Sequence, residues 1–220
     1  MDRSVGSLLK RLAEYTAQRG VASMTELAEL AESLGYGGDE LEDALLEGME
    51  LSILLPLESM DGTLEWSSLV VSESSRWHVP PVARELLAGR SWREAVESVM
   101  RRMGEEKASL VPELFEGLLK RGPVVSASEV AEEAVKLGFR SSEVSRLIAE
   151  LKGAGLMSPR VKASIRAGEP TYRLSMAFKL LDLMSLKASE RAEHAPHLTQ
   201  PALLDKGSRP SSSRALAALM

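Results

Sequence analysis

The sequence predicts a mainly α-helical chain with small β-hairpins, in which one supersecondary unit occurs twice and a helical linker joins the copies. Three observations predict it. First, Ser23-Met-Thr-Glu26-Leu-Ala-Glu-Leu-Ala-Glu-Ser-Leu34-Gly35-Tyr36 lies over Ser126-Ala-Ser-Glu129-Val-Ala-Glu-Glu-Ala-Val-Lys-Leu137-Gly138-Phe139 at a constant offset of 103 residues, without a gap. Second, apolar residues around each copy recur at the spacing of one buried helical face. Third, each copy is followed by two short strand-like runs around a glycine turn. A chain of 220 residues has room for two small domains with cores of their own.

Taken in order, the first element is a helix with Leu8, Leu9, Leu12 and Tyr15 on one face. Ser23-x-x-Glu26 is a capping box, in which hydroxyl and carboxylate satisfy the orphan amides of a helix start. It opens a second helix over Thr25 to Leu34, which Gly35 terminates by supplying a left-handed residue. A third helix runs from Asp39 to Leu51, and a hairpin pairs Ser52 to Leu57 with Leu64 to Val71 around Asp61-Gly62. The linker holds a short helix over Val82 to Leu87. Ser91-Trp-Arg-Glu94 then caps a helix that buries Val96, Val99 and Met103.

The second copy repeats the order. Val111, Leu114, Phe115, Leu118 and Leu119 form a helical face, with Pro112 in the first turn and Gly122-Pro123 at the end. The helix after Ser126 leads to a third, capped by Ser141, with an apolar stripe of Val144, Leu147, Ile148 and Leu151 closed by Gly153-Ala-Gly155. Leu156 to Val161 and Thr171 to Leu174 read as strands around Ala167-Gly168-Glu169-Pro170. A last amphipathic helix extends to about Leu186. The expected domains are an acidic unit over 1–75, a helical linker over 76–108, a second unit over 109–187 and a flexible Pro-, Ser- and Ala-containing tail over 188–220.

Composition narrows the function. An apolar share of 44% and a charged share of 27% are those of a globular protein, with no run long enough to span a membrane and no signal peptide; a cytoplasmic protein is expected. Cysteine is absent, which excludes disulfides, thiolate chemistry and cysteine-ligated zinc. Asparagine is absent too, and Gln18 and Gln200 are the only glutamines, a composition that fits a thermophilic source. The net charge of −5 is unevenly spread: residues 1–20 carry +2, residues 21–70 carry −12 and residues 71–220 carry +5. The two ends are therefore expected to have different electrostatic roles.

Helix, helix, glycine turn, helix and then a hairpin closing on Tyr172-x-Leu174 resembles the winged helix-turn-helix superfamily. The fold this implies is two winged helix-turn-helix domains joined by a helical linker. Gly168-Glu-Pro170-Thr-Tyr172-Arg-Leu174 is similar to the wing of PadR-type and MarR-type regulators, with Glu169 where an arginine is common. The resemblance implies a transcriptional regulator whose third helix enters the major groove while the wing meets phosphate. In the second unit the residues so placed are Arg140, Ser142, Ser145, Arg146 and Lys152 on the helix, and Arg160, Lys162, Arg166 and Arg173 in the wing. Cations gathered on one side capture phosphate by releasing counterions. The corresponding first-unit helix carries Asp39, Glu40, Glu42, Asp43, Glu47 and Glu50, with no cation from Gly37 to Leu51, and is expected to pair with itself or a protein partner, or to pack against the second unit. Duplex DNA is thus the expected partner, with a homodimer by analogy with the superfamily. A second resemblance rests on Pro170-x-Tyr172, Phe178 and Leu183-Met-Ser-Leu186, which look like ScpB, a kite-type subunit of chromosome-organising SMC complexes. It implies a scaffold that binds a kleisin-like chain.

Catalysis finds no support. No nucleophile elbow, P-loop or dinucleotide fingerprint occurs. His194 and His197 sit in a Pro-flanked polar tail with no cysteine and no ordered carboxylate nearby, and His78 beside Trp77 and Pro80 reads as a surface or packing residue rather than a base. Tyr36-Gly37-Gly38 suggests an anion nest, but two acids follow it directly. Met176, Leu180, Leu183 and Met184 read as a core or dimer seam. No enzyme, metal or cofactor is expected.

Overall fold

The computed structural model describes residues 5–57, 74–160 and 169–179. The first half comprises α1 (Val5–Arg19), β1 (Val21–Ser23), α2 (Met24–Ser33), α3 (Gly38–Leu51), β2 (Leu55–Pro56) and β3 (Arg76–His78). α4 (Pro81–Leu87) and α5 (Trp92–Arg102) follow. The second half comprises α6 (Val111–Arg121), β4 (Val124–Ser126), α7 (Ala127–Lys136), α8 (Val144–Gly153), β5 (Met157–Arg160) and β6 (Thr171–Leu174), with 3-10 turns at Ala108–Leu110 and Ser141–Glu143. The chain is mainly helical, with two small antiparallel sheets of order β1-β3-β2 and β4-β6-β5. Among the described residues, no helix is long and apolar enough to cross a membrane.

The repeat read in the sequence is present at the level of single hydrogen bonds. β1 and β4 stand 103 residues apart, as do α2 and α7. Ser23 and Ser126 both close full capping boxes, with Glu26 and Glu129. After the third helix of each half, Ile53 N–H donates to Gly48 O at 2.8 Å and Leu156 N–H to Leu151 O at 2.9 Å. Both connections pass through a left-handed residue, Ser52 (φ +61) in one and Gly155 (φ +78) in the other. In the sheets, Ala22 and Pro56 flank Trp77, as Val125 and Pro159 flank Tyr172. Trp77 and Tyr172 are 95 residues apart, so the connection before the closing strand is longer in the first half.

Several expectations are corrected. The strand that closes the first sheet is Arg76–His78, a stretch with no expected strand. The expected strand from Leu64 to Val71 and its turn at Asp61-Gly62 lie outside the described residues. Ser52 to Leu54 are not strand; Ser52 is the left-handed C-cap of α3. Ser141 does not cap the third helix of the second half. The capping carboxylate is Glu143, whose Oε2 accepts Arg140 N–H at 2.7 Å, and α8 proper starts at Val144. In α5 the buried methionine is Met100, not Met103, because the helix ends at Arg102 and Met103 is its C-cap, beyond the buried face of Val96, Val99 and Met100. β1 and β4, three residues each, had no signal of their own. The last helix to about Leu186, Leu180, Leu183, Met184, the tail and both tail histidines lie outside the described residues.

A single apolar core runs from Leu8 on α1 to Ala177 after β6. The segment expected as a linker is its middle: Val79, Val82, Ala83, Leu86, Ala95, Val96, Val99 and Met100 are all buried. Trp92 on α5 packs against Phe115 of α6 and Phe178, at ring-centroid separations of 5.3 and 5.6 Å. The end of α8 sits on this middle layer. Val82 N–H donates to Ala154 O at 3.2 Å, and a Cβ on Gly155 would come within 2.4 Å of Pro80.

Candidate nucleic-acid interface

The third helical segment of the second half projects its apolar stripe, Val144, Leu147, Ile148 and Leu151, into the core. Helical geometry therefore leaves Ser142, Ser145, Arg146 and Ala149 outside, and all four are exposed. Arg140, at the entrance to the segment, is 80% exposed. The structure thus brings Arg140, Ser142, Ser145 and Arg146 onto one outer face. Lys152, a turn and a half further along, is half-buried. Arg160 is exposed at the end of β5, while Lys162 and Arg166 lie outside the described residues.

Arg173 has a partner in the first half. Its place in β6, opposite Val124 and Ser158, puts its Nη2 3.7 Å from Glu50 Oε1 on α3 of the first half. It is therefore a contact between the two halves.

The exposed arginines are held by carboxylates. Arg140 Nη2 lies 2.9 Å from Glu143 Oε1. Lys107 Nζ, from the segment after α5, lies 2.9 Å from Glu143 Oε2, donates to Gly138 O at 2.8 Å and stands 5.0 Å from the ring centroid of Phe139. Lys107 and then the Arg140 backbone amide hold the Glu143 carboxyl at about 2, well below its ordinary value. Arg146 Nη2 lies 3.3 Å from Glu105 Oε2, and its Nε 3.5 Å from Glu150 Oε1. The start of α8 is thereby tied to the middle layer by two long-range ion pairs. Sequence reasoning missed Lys107 and Glu105, because nothing local marks a residue whose partner is some forty positions away.

The equivalent face of the first half has the opposite charge. Asp39, Glu42, Asp43, Leu46 and Glu50 are exposed along α3, and Leu46 is 53% exposed. The glycine turn before it binds its own acid: Gly37 N–H donates to Glu40 Oε2 at 2.6 Å, so the amide of the suspected nest is already taken. His78, expected at the surface or in packing, is buried in β3.

A protein-family model matches residues 5–184 as one span. The chain belongs to that family, whose description assigns no activity, and the matched span includes both halves and the layer between them. No curated protein and no solved structure matches the chain.

Proposed function

We propose that this family member is a tandem winged-helix protein that binds duplex DNA through its second half, acts as a regulator, and uses its acidic first half for protein contacts. The observation that carries the reading is the contrast at one position of the repeat. The third helix of the second half exposes Arg140, Ser142, Ser145 and Arg146, whereas that of the first half exposes only carboxylates and Leu46. Arginine and serine at the start of an exposed helix are groups suited to phosphate and base edges. Carboxylates at the matching place repel the same polyanion.

A salt titration of binding to random-sequence duplex tests this. Affinity is expected to fall as salt rises, and Arg140→Ala, Arg146→Ala and Arg160→Ala are each expected to weaken binding and reduce the slope of log K against log salt by about one. No binding at low salt ends the reading.

One observation favours a second reading, the scaffold of ScpB type. Lys107, Arg140 and Arg146 are matched by Glu105, Glu143 and Glu150, so the charges at the start of α8 already balance. On that reading a kleisin-like chain co-purifies with the protein, and Leu46→Asp on α3 abolishes the association while the arginine substitutions leave it intact.

A further inference from the structure

Glu105 follows α5 just after Gly104, whose positive φ of +94° turns the chain back toward α8. Its side chain is 1% exposed. Oε1 accepts the Lys107 amide N–H at 2.8 Å, and Oε2 accepts from Arg146 Nη2 at 3.3 Å. Glu150 lies one helical turn beyond Arg146, with its side chain 12% exposed and Oε1 facing Arg146 Nε. Its other oxygen, Oε2, is buried and has no hydrogen-bond donor among the described residues. Two nearly dry carboxyl groups therefore share one guanidinium, and that guanidinium is 52% exposed.

Taken by themselves, Glu105 and Glu150 exceed Arg146 by one negative charge, and a buried unpaired carboxylate is costly. Lys107 does not relieve it, since its ammonium is engaged by Glu143 and Gly138 O. A proton on Glu150 is what would satisfy the orphan oxygen once Arg146 is withdrawn. In agreement, burial first and the Glu105 carboxyl second push Glu150 above its ordinary value, with Arg146 pulling the other way. The groups acting on Glu150 are thus Glu105 across the seam and Arg146 on its own helix.

From this geometry we infer that Glu105 and Glu150 are positioning residues that hold Arg146 on the outer face of α8, and that Glu150 takes up a proton when Arg146 leaves it for a phosphate. The inference rests on the DNA-binding reading for its role, but not for its chemistry. Losing the guanidinium removes the charge that pulls Glu150 down, so Glu150 binds a proton more tightly. By linkage, DNA affinity then rises as pH falls, by up to about tenfold per pH unit for one proton taken up.

Two measurements decide it. In the free protein, carboxyl-carbon NMR titration of Glu150 is expected to show a higher midpoint in Arg146→Gln than in the wild type; equal midpoints overturn the proton-linked pair. Arg146 is half exposed, so this variant keeps its core. For binding, affinity for random-sequence duplex at fixed salt is compared from mildly acidic to neutral pH. The wild type is expected to follow the linkage slope, and Glu150→Gln to bind with a much flatter one; identical slopes overturn the inference. If neither protein binds duplex at low salt, the DNA-binding reading falls, while the Glu150 titration still decides the carboxyl pair.

Discussion

The His78 imidazole is set into the first sheet opposite Val21 and Leu55, with 5% of its surface exposed. Burial first, and the positive charge of Arg84 second, lower its pKa to about 4. Arg84 is fixed nearby by donating from Nε to Val79 O at 2.8 Å. An unfolded chain protonates this histidine near the ordinary value of about 6.5, so between the two values the unfolded state binds more protons than the folded one. The sign follows: the contribution of neutral His78 is complete above the unfolded value and is lost as pH falls toward about 4, up to on the order of 3 kcal/mol. Urea unfolding across this range is expected to show that loss in the wild type and a flatter dependence in His78→Gln. An unchanged slope in the variant contradicts the assignment.

At the scale of elements, the join between α8 and β5 depends on a glycine for two separate reasons. Gly155 has a left-handed φ of +78°, and a Cβ there would meet Pro80 at 2.4 Å. Gly138, which turns the chain between α7 and α8, has φ +89° but nothing within 4 Å of a built Cβ. Gly138→Ala therefore adds backbone strain alone, about 1 kcal/mol, whereas Gly155→Ala adds strain and overpacking, about 2 to 4 kcal/mol. Denaturant midpoints of the two variants check the order, and equal losses would mean that the Pro80 contact is easily relaxed. The features that act locally were legible in the sequence: the capping serines and glutamates, the glycine stops, the apolar stripes and the offset between copies. What was not legible depends on pairing at a distance. β1 and β4 are strands only because a hairpin lies beside them, and Arg76–His78 closes the first sheet through a register that alternation does not specify. The cations of the second half could be read directly, but their partners could not, since Arg146 finds Glu105 and Arg173 finds Glu50 only in the folded chain.

At the scale of the whole molecule, the two halves and the layer between them share one core. The middle layer is wedged under α8 at Pro80, Val82 and Met103, and a Cβ on Gly153 would come within 2.7 Å of Met103 Cε. Separation of the halves would strip apolar surface from Val82, Leu86, Val96 and Met100, so the chain is expected to unfold in a single calorimetric transition whose van't Hoff and calorimetric enthalpies agree. Two resolved transitions would show that the halves are independent. That continuity fixes an acidic face on α3 and an arginine and serine face on α8 within one body, and the functional proposal is about this polarity. Amide NMR shifts recorded while duplex DNA is added test it most directly. The account predicts that the changes concentrate at residues 140–149 and at β5 and β6 and leave 38–51 on α3 unmoved; changes centred on α3, or none at low salt, would contradict it.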